Sequence, residues 1–296
     1  MPLITSKELG ELYPPLGGKI GQAFLDWAMR FFSMDAFNDV YDRLFDFKGP
    51  DFTDAFLKDQ GIEYAVGGAE HLAELPDGPF ITVSNHPFGH IDGITLVDLF
   101  GHIRPDFKVM VNKILARIKT LENNFITVIP TGRKRTAPEV DSIAGIRRAL
   151  EHIRGGHPVG FFPSGAVSDL SLRECCIRDR QWQEPVLRLI QKAAVLVVPV
   201  RFFDRNSDFY YILGLISSAI RILRLPAEGL NKRGKLVHIG VGPVISPEKQ
   251  AACGDARQLG KLLRAQCMTC RFLRLLLRGR RFWVVSSRSS LVVTAW

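Results

Sequence analysis

Two hydrophobic periods alternate along this chain. Near the start the period is helical: Ile20, Phe24, Trp27, Ala28 and Phe31 recur at i, i+4, i+7, i+8 and i+11. That spacing predicts an amphipathic helix over Lys19–Met34. Phe37, Val40, Tyr41, Leu44 and Phe45 form the apolar face of a second helix. From Phe80 onward, short β-branched or aromatic runs alternate with longer helical stretches. Strands are predicted at Phe80–Val83, Phe107–Val111, Phe125–Ile129, Pro158–Phe162, Val195–Val200, Phe209–Leu215 and Leu236–Val241. Helices are predicted after Asp92, as a short piece over Lys113–Glu122, from Pro138 to the Gly155-Gly156 stop, and over Gln181–Ala193. This rhythm predicts an α/β fold: a mostly parallel central sheet flanked by helices, with an N-terminal helical hairpin. Three segments are expected: an N-terminal helical segment at 1–60, an α/β domain at 61–266, and a basic, poorly ordered tail at 267–296.

Charge sharpens the last boundary. The chain has 39 Lys and Arg against 30 Asp and Glu, net +9. Nine of the basic residues, and no acid, lie from Ala256 onward, so the body is balanced. A basic pI that comes from one tail does not argue for nucleic acid as a partner. At 296 residues and 46% hydrophobic content, one large domain with a sizeable core is expected. The first residues, MPLITSKELGELYPP, lack the basic start and apolar run of a secretory signal. No apolar run reaches the roughly 18–20 residues that span a bilayer; Phe209–Ile220 comes nearest and ends at Arg221. The expected location is cytoplasmic, peripheral on the inner face of the cell membrane. The aromatic face of the first helix suits a membrane interface or a hairpin packed on the core. Asp35, Asp39, Asp42 and Asp46 weigh against an anionic surface for the second helix. Five cysteines, an odd number, read as reduced thiols, and the lone Cys267-Met-Thr-Cys270 has no second pair to complete a zinc site.

The chemistry collects in FITVSNHPFGHIDG, Phe80–Gly93, which reads as strand, sharp polar loop, helix. Loops at strand ends carry side chains on a rigid edge. His86 and Asp92 are six positions apart, and a loop bent by Pro87 and Gly89 can fold the carboxylate back onto the imidazole. The carboxylate would fix the ring's tautomer and steady the imidazolium, leaving the other nitrogen to take a proton from a hydroxyl. The plainer alternative is an N-cap aspartate and a histidine bonded to backbone. Asn85 suits either loop ordering or a bond to a substrate carbonyl. His90 with His86 and Asp92 makes a possible metal trio, but Pro87 and Gly89 spoil the helical spacing that such a site uses, so no metal is expected. There is no G-x-S-x-G elbow for a serine hydrolase and no Gly-rich Lys-Ser/Thr loop for a nucleotide.

The NHPFGHIDG segment resembles the first motif of the glycerolipid (lysophospholipid) acyltransferase superfamily, the PlsC-type enzymes. Five residues stand between His86 and Asp92 where most of that family has four, a variant that resembles the hemolysin-like branch containing ornithine- and glycine-lipid O-acyltransferases. Phe162-Pro163-Ser164-Gly165-Ala166-Val167-Ser168 resembles the third motif, usually Phe-Pro-Glu-Gly-Thr-Arg-Ser. Val197–Val200 resembles the fourth, and Asn124-Phe125-Ile126 through Arg133 loosely matches the second. The resemblance implies acyl transfer from an acyl thioester, on acyl carrier protein or coenzyme A, to a hydroxyl of a lyso-lipid. No bound cofactor is implied. His86 would be the base, Asp92 its orienting partner, and N–H groups around Ser164, Gly165 and Ala166 the oxyanion donors. Asn85, Gly89, Arg133 and Arg135 would line the substrate site. Ser164 and Val167 stand where the family has glutamate and arginine, and the arginine is the expected phosphate grip. Their loss points to a lyso-aminolipid acceptor. It leaves lysophosphatidic acid and a catalytically inactive lipid-binding protein of the same fold as alternatives.

Overall fold

The computed structural model describes residues 26–27, 29–128 and 140–270. A seven-stranded sheet forms its centre. The strands are β1 (Glu63–Gly67), β2 (Phe80–Ser84), β3 (Lys108–Asn112), β4 (Phe125–Val128), β5 (Val159–Phe161), β8 (Leu196–Phe202) and β9 (Leu236–Val241); β6 (Asp169–Ser171) and β7 (Cys176–Arg178) make a separate small hairpin. The order across the sheet is β1-β9-β8-β2-β5-β3-β4, and every pair is parallel except β8 with β9. The mostly parallel α/β sheet expected from the alternating periods is therefore present.

The strands are apolar on both sides because both faces are covered. On one face Phe80, Val198 and Val200 pack with α1 (Met34–Arg43), α2 (Gly49–Asp59) and α3 (His90–Ile103). On the other, Ile81, Val83, Val159, Phe161 and Val197 pack with α4 (Val140–Arg154), α5 (Glu184–Ala193) and α10 (Ala256–Thr269). Each fully buried Phe, Ile or Leu contributes roughly 1.5–3 kcal/mol. A buried polar tie adds register: Asp98 of α3 accepts from Tyr64 Oη at 2.6 Å and from Thr53 Oγ1 at 3.2 Å.

β2 lies at the middle of the sheet, between β5 and β8, with Val83 level with both Phe161 and Pro199. The loops after β2 and β5 therefore leave the same sheet edge side by side. These are the two motif loops, and the fold brings them together across about eighty residues of sequence.

Several expectations need correction. Phe209–Leu215 is not a strand but most of α6 (Asp208–Ile216), followed by α7 (Ser218–Leu223) and α8 (Leu225–Leu230). The Lys113–Glu122 helix is two 3-10 turns, Lys113–Arg117 and Lys119–Asn124. Helix α2 and strand β1 lie outside the elements that the periodicity predicts. The first predicted helix lies mostly outside the described residues; 26–27 and 29–31 are helical, with Trp27 and Phe31 exposed and stacked at 5.1 Å and Met29 buried. Arg133 and Arg135, with their loop, lie outside the described residues.

The boundary at 266 falls inside α10, which runs to Thr269. Cys267 is fully buried with its thiol 2.8 Å from Val200 O, and Cys270 is buried against Gly240 and Gly242. These thiols fill the core, and burial pushes Cys270 up to about 11, so both are held protonated. A chain ending at Gln266 is therefore expected to melt several degrees below one ending at Cys270, since removing two buried side chains costs on the order of 2–5 kcal/mol. Equal melting temperatures by calorimetry would return the boundary to 266.

Candidate active site

The site starts from a helix terminus. Gly89 precedes α3 with φ of 92°, a left-handed conformation, and a Cβ there would come within 2.9 Å of Leu225 and 3.2 Å of Val167. Glycine thus allows both the turn and its close packing. Three residues on, Asp92 is fully buried, and one oxygen, Oδ2, accepts from Phe88 N at 2.9 Å and Gly89 N at 3.0 Å. The same oxygen lies 2.9 Å from His86 Nδ1. Asp92 is thus the third residue of the helix, not its N-cap, and one oxygen serves both the helix terminus and the imidazole.

That sharing fixes the proton. An oxygen that already accepts from two amides is a poor place for a carboxylic proton, so the ring nitrogen facing it is the donor. His86 then carries its proton on Nδ1 and presents a lone pair on Nε2. Among the described residues nothing bonds Nε2, and the side chain is 17% exposed, enough for a substrate hydroxyl to reach it. The ring stacks on Phe162 with centroids 4.1 Å apart. Burial pushes the Asp92 carboxyl up, while His86 and the two amides pull it back.

The Phe162–Ser168 loop closes against this ring. Ser168 N donates to His86 O at 2.8 Å, which zips the two loops together. Ser164 is buried and turns inward, its Oγ donating to Ala166 O at 2.8 Å. Gly165 has φ of 64°, and a Cβ there would overlap the Gln183 side chain at 2.0 Å. Its N–H is committed to Phe162 O at 2.9 Å. That bond takes Gly165 N–H out of the expected oxyanion set. The Ala166 N–H has no acceptor among the described residues.

Asn85 clamps the loop to the neighbouring strand. Its Nδ2 donates to Phe202 O and its Oδ1 accepts from Phe202 N, both at 2.8 Å. The side chain is buried, and these bonds give it a loop-ordering part. Val167 is buried in a small apolar cluster with Tyr210 and Tyr211.

Three positioning residues carry no local sequence signal. Asp179 Oδ1 accepts from His86 N at 3.2 Å and Ser168 Oγ at 2.5 Å, pinning both loops at once. Asn206 Nδ2 donates to Pro87 O and Phe88 O, each at 3.2 Å. Arg221 is buried, pairs with Asp169, and donates to Ser168 O at 3.2 Å and Val167 O at 3.4 Å. All three are distant in sequence from His86, and only the topology brings them near.

His90 does not join His86 and Asp92 in a metal trio. Its ring packs edge-on against Phe37, and its Nε2 points at Gly229, where a Cβ would lie only 2.1 Å away. Burial, and secondarily the charge of His86, lower it to about 4. Held neutral, it costs stability in acid. The unfolded chain gains this proton as pH falls below about 6.5, while the folded chain does not until about 4. Stability from this group is complete above that window and falls across it by on the order of 3 kcal/mol. Asp92, whose carboxyl burial pushes up, acts in the opposite sense from its ordinary 3.8 upward. His90→Gln should flatten the pH dependence of urea unfolding between those limits. An unchanged slope would mean that His90 is not the group held neutral.

An imidazole paired with a buried carboxylate thus sits in two loops at the carboxyl edge of a parallel sheet. Known proteins similar to this chain fall in one group by name. The chain is 31% identical over 176 residues to a lyso-glycine lipid O-acyltransferase of Bacteroides thetaiotaomicron, a match covering 59% of this chain and 60% of that protein. It is 30% identical over 205 residues to a lyso-glycine lipid O-acyltransferase of Phocaeicola vulgatus, covering 67% and 69%. The 1-acyl-sn-glycerophosphate acyltransferase PlsC of Thermotoga maritima aligns over 84% of this chain and 95% of its own, with a TM-score of 0.44 and 15% identity. The family described as Acyltransferase matches residues 7–274. That match spans both motif loops and bears out their resemblance: the chain belongs to the acyltransferase family.

Proposed function

We propose that the protein moves a fatty acyl group from an acyl thioester to a hydroxyl of a lyso-aminolipid. The observation that carries this is the His86–Asp92 pair, with the imidazole part-exposed and its Nε2 unbonded among the described residues. The acceptor O–H gives its proton to Nε2 as its oxygen attacks the thioester carbonyl. The tetrahedral oxyanion that forms is steadied by a backbone N–H of the Ser164–Ala166 turn, Ala166 being the candidate. The C–S bond then breaks, and the departing thiolate takes the proton back from the imidazolium. Asp92 steadies the positive charge on the ring between the two transfers. The donor carrier is acyl carrier protein or coenzyme A, and the reaction takes place at the inner face of the cell membrane.

The acceptor class rests on Val167. Valine offers no charge where the family pattern has arginine, and its side chain is buried among apolar groups. Arg221 lies behind the same loop, but its guanidinium is occupied by Asp169 and two carbonyls, which makes it a poor phosphate grip. Both relatives above are named for a lyso-glycine lipid. Purified protein with one acyl donor is expected to acylate lyso-glycine lipid faster than lysophosphatidic acid. The reverse preference would assign the phosphate grip to the basic loop of Arg133 and Arg135 and overturn the aminolipid reading.

A further inference from the structure

Of fourteen large apolar side chains that stand exposed among the described residues, seven lie between Phe209 and Leu223. This is a concentration on two short helices, α6 and α7, not a scatter. Isolated exposed apolar residues need no explanation, but a contiguous patch does. The inner side of the pair is firmly built. Tyr210 and Tyr211 are buried against Val167, and Tyr211 Oη donates to Pro87 O at 3.4 Å. Arg221 packs beneath Gly214, where a Cβ would come within 2.6 Å of its stem. The outer side carries Phe209, Ile212, Leu215, Ile216, Ile220 and Ile222, with Ile216 73% and Ile222 57% exposed.

Charge identifies the occupant. No acid occurs from Phe209 through Ala227. Arg224 sits over the Phe209 ring at 5.4 Å, at the edge of the apolar face, and pairs with Glu228 at 3.5 Å. The β6–β7 hairpin, packed on α6 through Leu170 and Ile177, adds Leu172, 68% exposed, with Arg173 beside it; Arg178 of the same hairpin is paired with Glu174. An apolar centre free of acids, edged by arginines, with its bounding acids Asp208 and Glu228 held in ion pairs to Arg205 and Arg224, suits the boundary of a bilayer carrying anionic headgroups. It is also continuous with the site, since the same helices support Pro87 and Val167 in the two motif loops.

We infer that the outer face of α6 and α7 inserts into the lipid surface and brings the His86 loop to a membrane-resident acceptor. This rests on the lipid-acceptor reading above for its purpose, but not for its test. Full-length wild type and Ile216→Glu/Ile222→Glu are sedimented with phosphatidylcholine vesicles, with and without phosphatidylglycerol. The milder Ile216→Ser/Ile222→Ser pair guards against misfolding. Each protein is also assayed with short-chain, water-soluble donor and acceptor, melted, and sized by gel filtration. Both variants are expected to lose vesicle partitioning, the glutamate pair by at least about tenfold, and to keep their melting temperature and soluble-substrate turnover. Partitioning of the wild type should rise with phosphatidylglycerol. Unchanged partitioning in both variants overturns the inference. So does a fall in melting temperature or a change in size with partitioning intact, because the face is then covered by this chain's own residues or by a second copy. If the wild type shows no acyl transfer yet partitioning depends on this face, the functional reading falls and the docking surface stands.

Discussion

His86→Ala is expected to lower turnover by about 10²–10⁴-fold and to leave the protein folded. The loss follows from the site's geometry. Both histidines of this loop are half-buried, but the Nε2 of His90 is itself buried against Gly229, whereas the His86 ring, paired through Nδ1, is part-exposed with no partner on Nε2 among the described residues. The fold survives because the ring is not what holds the loop. Asp92 keeps its two amide donors from Phe88 and Gly89, so no buried carboxylate is left without a partner. The backbone bonds of His86 to Ser168 and Asp179 also remain. The check is steady-state turnover beside thermal unfolding. A folded variant with near-normal turnover would remove His86 from the mechanism.

Asp92→Asn is the second large effect, also expected to fall by about 10²-fold or more. The two amides that donate to Oδ2 select the amide oxygen of asparagine for that place. The oxygen can still accept from Nδ1–H, so ring orientation is preserved. The negative charge that steadies the imidazolium is lost. The substitution therefore separates charge from geometry: kcat should fall far more than KM rises, with the melting temperature near that of wild type. If KM rises while kcat holds, Asp92 serves to shape the loop and not to stabilise the charged ring. Asp92→Ala should be worse in both respects, since it also leaves the first turn of α3 uncapped.

The strand-loop-helix unit at Phe80–Phe100 was legible because its signals are local. A β-branched run ends in Asn, Pro and Gly, and an apolar helix follows. The partner loop at Phe162–Ser168 was legible for the same reason, and the parallel sheet made their meeting predictable. The positioning residues were not legible. Asp179 sits between two arginines and reads as surface charge, yet it is buried beneath both loops. Arg221 reads as the polar end of an apolar run, and Asn206 as a loop residue. Helix α6 reads as a strand because it is apolar on both sides: Tyr210 and Tyr211 face the core while Phe209, Ile212 and Leu215 face outward. A short continuous apolar run carries no period with which to tell helix from strand. The missing polar face is itself informative, since it is where the lipid-docking surface is inferred. Helix α2 does carry a local signal, Pro50 at its first turn, with Phe52, Phe56 and Leu57 on one face.

The most direct test of the whole account follows both products of one reaction. Purified protein is given a long-chain acyl thioester, on acyl carrier protein or on coenzyme A, and a lyso-glycine lipid. Free thiol and O-acylated lipid are then measured together, with His86→Ala as the control. The account predicts ester and thiol appearing in equal amounts, both dependent on His86. Thiol released with free fatty acid and no lipid ester, or no turnover of either donor by the folded wild type, would contradict acyl transfer to a lipid hydroxyl.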